Sequence, residues 1–385
     1  MSLLERHYND LEISVKKTFV VFGTRPEAIK MAPVIEELKK NAGRFDVVVC
    51  VTGQHREMLD QVIDWFSIDV DYDLDLMKEN QFVSAITVNA LQKIEEILDV
   101  ERPDIVLVQG DTTTAFAGAL AAYYQKIPVG YVESGLRTWN KYDPFPEEIN
   151  RVLLSHLADL HFAPTELSKA NLEREGIDSG RIFVTGNTVI DALLETVDKH
   201  GREAIVAGGN RIRLDNRYLL VTSHRRDNFG APLKNICLAL KRLIETDDSG
   251  LEVIFPVHSN PNVRRVVFDL LGDVKGVHLI EPVEYPTFCD LMAKSDIILT
   301  DSGGIQEEAP SLGKPVLVLR EATERPEAVE AGSVKVIGTR TEDIIRETRI
   351  LLDDPSEYQR MAQARNPYGD GRASERIVKL IEAYL

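Results

Sequence analysis

The stretch Ile297-Ile298-Leu299-Thr300-Asp301-Ser302-Gly303-Gly304-Ile305-Gln306-Glu307-Glu308 decides the fold. Its opening is apolar and β-branched, which reads as a buried strand, and two glycines after a hydroxyl mark a sharp turn into a helix. A helix starting there offers free amides and the positive end of its dipole to an anion such as a phosphate. Glu307 and Glu308 add acceptors for neutral hydroxyls beside it, such as those of a ribose, so a nucleotide meets both demands. The same residues also read as a plain tight turn with a solvated first helical turn, because short glycine motifs recur in many folds. Other stretches weigh between the two.

Moving outward, the chain repeats this grammar. Thr18-Phe19-Val20-Val21-Phe22-Gly23-Thr24 is a strand ending in glycine, and Pro26 sits well as a first helical residue before Ile29, Val34, Ile35 and Leu38. Asp46 to Gly53, Ile105 to Asp111, Pro128 to Glu133, Leu160 to Ala163 and Ile182 to Gly186 are further strands. A second series follows the polar stretch Gly201 to Asn216, with strands at 218–222, 252–257, 277–280, 297–300, 315–319 and 335–337. Strands that are apolar throughout and alternate with helices predict parallel sheets covered on both faces. The expected architecture is α/β, two Rossmann-like domains facing a cleft. Residues 1–17 form an N-terminal extension, 18–188 the first domain, 189–365 the second, and 366–385 a segment packing back on the first.

Composition narrows the function. The 385 residues are 44% hydrophobic and 28% charged, which suits an ordinary globular protein with two cores. A net charge of −17 argues against broad nucleic-acid binding, so an anionic ligand must be held by a local cluster. Cys50, Cys237 and Cys289 are far apart and lack a C-x-x-C pattern, which predicts buried free thiols and no zinc site. No run reaches the ~18 apolar residues of a membrane span, and the N-terminus lacks a signal-peptide core, so a cytoplasmic location is expected.

Ligands in open parallel sheets sit beyond the carboxyl ends of the strands. In the first domain those ends carry Arg25, Gln54-His55, Asp111 and Glu133, followed by the aromatic and proline-rich run Trp139 to Arg151, where Glu147 and Arg151 share a helical face. In the second they carry His224-Arg225-Arg226, His258, Ser302-Gly303-Gly304, Arg320 and Thr323-Glu324-Arg325. Taken singly, Asp111-Thr112-Thr113 also reads as an N-cap, Glu147 with Arg151 as an exposed ion pair, and His258 as a capping residue. Their coincidence at so many strand ends favours a nucleoside diphosphate carrying a group that undergoes proton chemistry.

Gly23-Thr24-Arg25-Pro26-Glu27-Ala28-Ile29-Lys30, Val51 to Arg56, Gly110-Asp111-Thr112, Val132 to Thr138, Pro146 to Arg151, Thr185 to Thr188, His224-Arg225-Arg226, Pro256-Val257-His258 and Asp301 to Glu308 together closely resemble the non-hydrolysing UDP-N-acetylglucosamine 2-epimerases. The likeness runs from about Phe19 to the C-terminus. It implies the glycosyltransferase-B fold with a C-terminal helix crossing back to the first domain, a homodimer, and interconversion of UDP-GlcNAc and UDP-ManNAc without metal, nicotinamide or other cofactor, feeding surface polysaccharide synthesis. It implies expulsion of UDP from C1 with loss of the C2 proton, giving 2-acetamidoglucal, then re-addition with the proton delivered to the other face. Asp111, Glu133 and Glu147 match the acid-base set, with the order of proton removal and return left open, and His224 matches the residue that helps the diphosphate leave. Arg25 and the Ser302-Gly303-Gly304 amides match the diphosphate site, and Glu308 the ribose site. Arg325 and His258 fall in the nucleotide pocket, Arg151 among the substrate-binding residues, and Lys30 orients Arg25 or an acid.

Gln54 and His55 match an activator site of bacterial relatives, which Glu57 and Asn80 leave open, since some activated relatives carry Gln and Arg there. Ser134, where Ala is usual, and Asp227-Asn228, where Glu is usual after the two arginines, remove no proton-transfer group. The competing readings are a hydrolysing epimerase releasing ManNAc and UDP, a glycosyltransferase of the same architecture, and a nucleotide-sugar sensor. The Gly23 to Glu27 motif and the three acids weigh against them.

Overall fold

A computed structural model describes residues 15–53, 56–76, 81–200, 206–207, 210–211 and 216–385. Residues 1–14 of the expected extension lie outside these. The first strand begins at Lys16, two residues before the expected start, because Lys16 and Lys17 already pair with Phe45 and Asp46.

The first compact unit comprises the chain to Thr185 together with Ser374–Leu385. It opens with β1 (Lys16–Phe22), α1 (Arg25–Lys40), β2 (Phe45–Val51), α2 (Arg56–Trp65) and β3 (Tyr72–Asp73). Next come α3 (Val83–Glu101), β4 (Ile105–Gln109), α4 (Thr113–Tyr124) and β5 (Val129–Val132). It continues through α5 (Glu147–Leu157), β6 (Leu160–Ala163), α6 (Glu166–Arg174) and β7 (Ile182–Val184). The strands form one parallel sheet in the order β3-β2-β1-β4-β5-β6-β7. β4 and β5 are buried on both faces, as their unbroken apolar runs require. Sequence reading found six of these strands and missed β3 and the helices α3 and α6. Phe82 at the start of α3 makes no side-chain cap and Arg102 at its end sits in the left-handed region, so the usual start and stop residues are absent.

The second unit, Gly186–Ala373, holds α7 (Thr188–His200), the short antiparallel pair β8 (Val206–Ala207) and β9 (Asn210–Arg211), then β10 (Tyr218–Thr222) and α8 (Ala231–Glu245). β11 (Glu252–Pro256), α9 (Pro261–Leu271), β12 (Val277–Ile280), α10 (Tyr285–Lys294) and β13 (Ile297–Thr300) follow. It closes with α11 (Gly303–Glu308), β14 (Val316–Val318), α12 (Pro326–Glu330), β15 (Val334–Val336), α13 (Thr341–Asp353) and α14 (Pro355–Ala362). Its parallel sheet runs β12-β11-β10-β13-β14-β15, with all six strands where sequence expected them. The last helix, α15 (Ala373–Tyr384), returns the chain to the first unit, where Ile377, Val378 and Ile381 are buried and Arg376 Nη1 donates to the Thr185 carbonyl. The units divide at Thr185/Gly186 and Ala373/Ser374, against the boundaries 188/189 and 365/366 read from sequence.

Strand order reverses between β1 and β4 in one unit and between β10 and β13 in the other, and such switch points are where doubly wound sheets open to ligands. All three cysteines are buried free thiols. Among the described residues no helix is long and apolar enough to cross a membrane.

Candidate active site

At the first switch point a buried acid ties the two loops together. Glu27 Oε2 accepts from the Gly23 and Thr24 amides at 3.0 and 2.8 Å and from the Thr24 hydroxyl at 2.8 Å, while Oε1 accepts from the Thr112 hydroxyl at 2.6 Å. Burial pushes its carboxyl up and the four donors oppose that shift. Gly23 leaves no room for a side chain, since a methyl group there would meet Thr52 Oγ1 at 2.1 Å. Arg25, next to this loop, is exposed and makes no ion pair among the described residues. Sequence quoted Glu27 within a motif without assigning it a role.

Glu133 follows β5 with φ 61, a left-handed conformation that β-carbon sterics disfavour. Its carboxylate is nearly sealed from solvent, and Lys30 Nζ donates to both oxygens at 2.7 and 2.5 Å. The buried amide of Gln109, the last residue of β4, donates to Oε2. Lys30 therefore bonds an acid. The ammonium offsets the cost of burying the carboxylate, and the pair fixes its direction.

Asp111 follows β4 and is gripped by Arg151, whose Nε and Nη2 reach Oδ2 at 2.9 and 2.6 Å, while Asn150 Nδ2 holds the Asp111 carbonyl at 2.9 Å. Arg151 pairs also with Glu148 at 3.1 Å, and no ion pair between it and Glu147 occurs among the described residues, so the alternative reading of those two as an exposed ion pair does not hold. Glu148 further accepts from the Thr138 and Trp139 amides, fastening the aromatic loop. With that duty taken, Glu147 opens α5 and its Oε2 is buried with no hydrogen-bond partner among the described residues. Gln54, His55 and Asn80 lie outside the described residues, as does the side chain of Glu57.

At the second switch point Asp301 plays the part that Glu27 plays at the first. Fully buried, it accepts from the Ser223 hydroxyl at 3.0 Å, the His224 and Arg225 amides at 2.9 and 3.0 Å, and Asn228 Nδ2 at 2.9 Å. Its Oδ1 lies 3.3 Å from His224 Nδ1. The His224 ring stacks on that of His258, centroids 5.7 Å apart and planes 17° apart. Desolvation lowers the His224 pKa, Asp301 opposes this, and His258 and Arg225 add to the lowering. An imidazolium with a lowered pKa gives up its proton readily. His258 is not a helix cap; its Nδ1 accepts from the Asn260 amide at 3.1 Å, and Asn260 caps α9.

The Ser302-Gly303-Gly304 turn opens α11. The Ser302 amide is already used, donating to Thr300 Oγ1 at 2.9 Å, so two of the three expected amides remain for an anion. Glu308 Oε1 comes within 3.4 Å of where a Gly304 side chain would begin, beside this turn. Glu307, read as a second hydroxyl acceptor, is instead buried against Asn187 Nδ2 at 2.7 Å and against Arg325 Nε, so Glu308 alone keeps that reading. A methyl group on Gly303 would lie 3.7 Å from Nη2 of both Arg225 and Arg325. Arg225 thus joins Arg325 beside the turn, and Arg320, which follows β14, reaches Glu324 Oε1 at 3.3 Å.

Two doubly wound parallel sheets in one chain, with this constellation at their switch points, define a nucleotide-sugar protein of the glycosyltransferase-B type. A family model described as UDP-N-acetylglucosamine 2-epimerase matches residues 36–382. The UDP-N-acetylglucosamine 2-epimerase of Bacillus subtilis is 55% identical over 365 residues, covering 94% of this chain and 94% of the relative, and that of Escherichia coli K12 is 53% identical over 371 residues, covering 95% and 98%. The crystal structure of UDP-GlcNAc 2-epimerase from Neisseria meningitidis bound to UDP-GlcNAc superposes with TM-score 0.85 at 53% identity, covering 95% of this chain and 99% of that one. The chain belongs to the UDP-N-acetylglucosamine 2-epimerase family.

Proposed function

We propose that this protein interconverts UDP-GlcNAc and UDP-ManNAc by eliminating and re-adding UDP without hydrolysis. The C2 proton is not next to a carbonyl and is weakly acidic, so it leaves most easily as the C1–O bond breaks. The C2–H electrons then form the C1=C2 double bond of 2-acetamidoglucal, and the C1–O pair departs with UDP. Re-addition reverses these bonds with the proton returned to the opposite face, and the balance closes without oxidant or reductant. Two faces need two proton-transfer groups.

The observation that carries this reading is the division of labour among first-unit carboxylates. Glu27 and Glu148 are used up as loop fasteners, while Asp111, Glu133 and Glu147 stand just beyond them, two held by cations and one with an unpartnered oxygen. Those three are the proposed acid-base set, with Lys30 and Arg151 holding Glu133 and Asp111. His224, the Gly303 and Gly304 amides, Arg25, Arg325 and His258 take the diphosphate and nucleotide, and Glu308 the ribose. Preorganised donors stabilise the departing diphosphate.

We also propose that the protein pairs with a second copy. Phe82, Val83 and Val88 around α3 and Tyr123 and Tyr124 at the end of α4 are exposed on two helices that pack together, and exposed apolar groups along such a pair of helices support an interaction surface.

Proton NMR of the full chain with UDP-GlcNAc in D₂O tests the reaction. UDP-ManNAc with deuterium at C2 of both sugars is expected. Accumulating free ManNAc and UDP would replace the proposal with a hydrolysing epimerase, and binding with no turnover in excess UDP-GlcNAc would replace it with a sensor.

A further inference from the structure

Arg225, beside the Ser302-Gly303-Gly304 turn, and Arg320 are cations that the nucleotide reading does not use. Arg320 Nη2 and Arg225 Nη1 both point at a single oxygen, Oε1 of Glu324, at 3.3 and 3.4 Å. Charge-assisted hydrogen bonds usually run about 2.7–2.9 Å, so this carboxylate is loosely held, and its side chain is 48% exposed. Desolvation works against charge on Glu324, yet Arg225, Arg320 and Arg325 outweigh it and keep the carboxyl below its usual range. The Arg320 Nη1 is buried and has no hydrogen-bond partner among the described residues, a charged donor left short of an acceptor.

The backbone around Glu324 is firmly anchored. Thr323 Oγ1 donates to Gln306 Oε1 at 2.5 Å and accepts from the Arg325 amide at 3.1 Å, and Gln306 Nε2 donates to the Ser302 carbonyl at 3.0 Å. Arg325 Nη1 also holds the Glu324 carbonyl at 3.2 Å. The Glu324 side chain can therefore swing out while its loop stays docked on α11.

We infer that Glu324 is an internal competitor for the diphosphate: its carboxylate bridges Arg225 and Arg320 until a diphosphate displaces it and takes both arginines. This rests on the nucleotide-sugar reading above and goes beyond it by giving Arg225 and Arg320 to the diphosphate and a release role to Glu324. Two guanidinium groups aimed at one point repel each other unless an anion lies between them. Glu324 brings one negative charge and a loose fit, whereas a diphosphate brings at least two and extra oxygens for Arg320 Nη1. Expelling Glu324 weakens net diphosphate affinity and quickens UDP release, and leaves binding of the uncharged nucleoside untouched.

Calorimetric titration of the full chain with inorganic pyrophosphate, UDP and uridine tests this. Glu324→Gln and Glu324→Ala should each bind pyrophosphate and UDP about tenfold more tightly, a shift of the size that losing one competing charge gives, with uridine unchanged. Arg320→Lys should weaken pyrophosphate binding. Unchanged or weaker pyrophosphate binding in both Glu324 variants, or equal tightening of uridine, would overturn the inference. The two proposals fail separately: tighter pyrophosphate binding without sugar turnover keeps the competitor and sinks the epimerase, while turnover with unaltered pyrophosphate affinity does the reverse.

Discussion

Glu133 combines a left-handed backbone, two contacts from Lys30 and one from Gln109, a set of constraints that a surface carboxylate would not need. Glu133→Gln keeps the shape and removes one carboxylate of the proposed acid-base set, so C2 deuterium exchange should slow about 10²–10⁴-fold while UDP affinity and melting temperature hold. An equal loss of UDP affinity would show a structural role instead. His161 gives a prediction of another kind. It is wholly buried on β6, edge-on to Tyr131, and burial lowers its pKa to about 4. The unfolded chain binds its proton near pH 6.5 and the folded chain only near 4, so stability is full above pH 6.5 and falls as pH drops towards 4, by up to about 3 kcal/mol. Denaturant titrations between pH 7 and 4.5 should show a steeper loss for the wild type than for His161→Leu; parallel curves would refute the assignment.

Elements meet at the switch points through single buried acids. Asp301 gathers the Ser223 to Asn228 loop onto the end of β13, and Asp301→Ala would strand two amides, a hydroxyl and a side-chain amide. The expected cost is about 3 kcal/mol or more, together with loss of the His224–His258 stack and hence of the proposed UDP expulsion. Thermal unfolding and turnover of the variant report on both, and a stable, fully active variant would contradict the role. Glu27 does the same for the first unit. Both acids lie inside motifs that the sequence singles out, yet nothing in the order of residues says that they fasten loops and leave their neighbours to the ligand.

At the scale of the whole molecule, α15 is the element whose removal should matter most to the first unit. Deleting Ser374–Leu385 exposes the surface that covers Ile377, Val378 and Ile381, and should lower that unit's stability by about 5 kcal/mol. Limited proteolysis of the truncated chain should then cut within Lys16–Thr185 ahead of Gly186–Ala373; cleavage in the opposite order would count against it. Pairing through α3 and α4 predicts that Val88→Asp with Tyr124→Asp halves the mass seen by light scattering, whereas an unchanged mass would move the interface elsewhere.

The sequence by itself determined the architecture and named most of the residues proposed for the candidate site. Strands buried on both faces leave unbroken apolar runs, and ligand loops at strand ends leave glycine, histidine, arginine and acid in place of those runs, so both are written locally. Helix α3 escaped because Phe82 and Arg102 carry none of the usual boundary chemistry. Tertiary structure alone decided which charge answers which: Arg151 with Asp111 rather than Glu147, Lys30 with Glu133, Glu307 withdrawn from the ligand, and Glu324 placed between Arg225 and Arg320. Such pairs span up to 103 residues of chain, and the low-dielectric setting that gives them strength exists only once the sheets have brought them together.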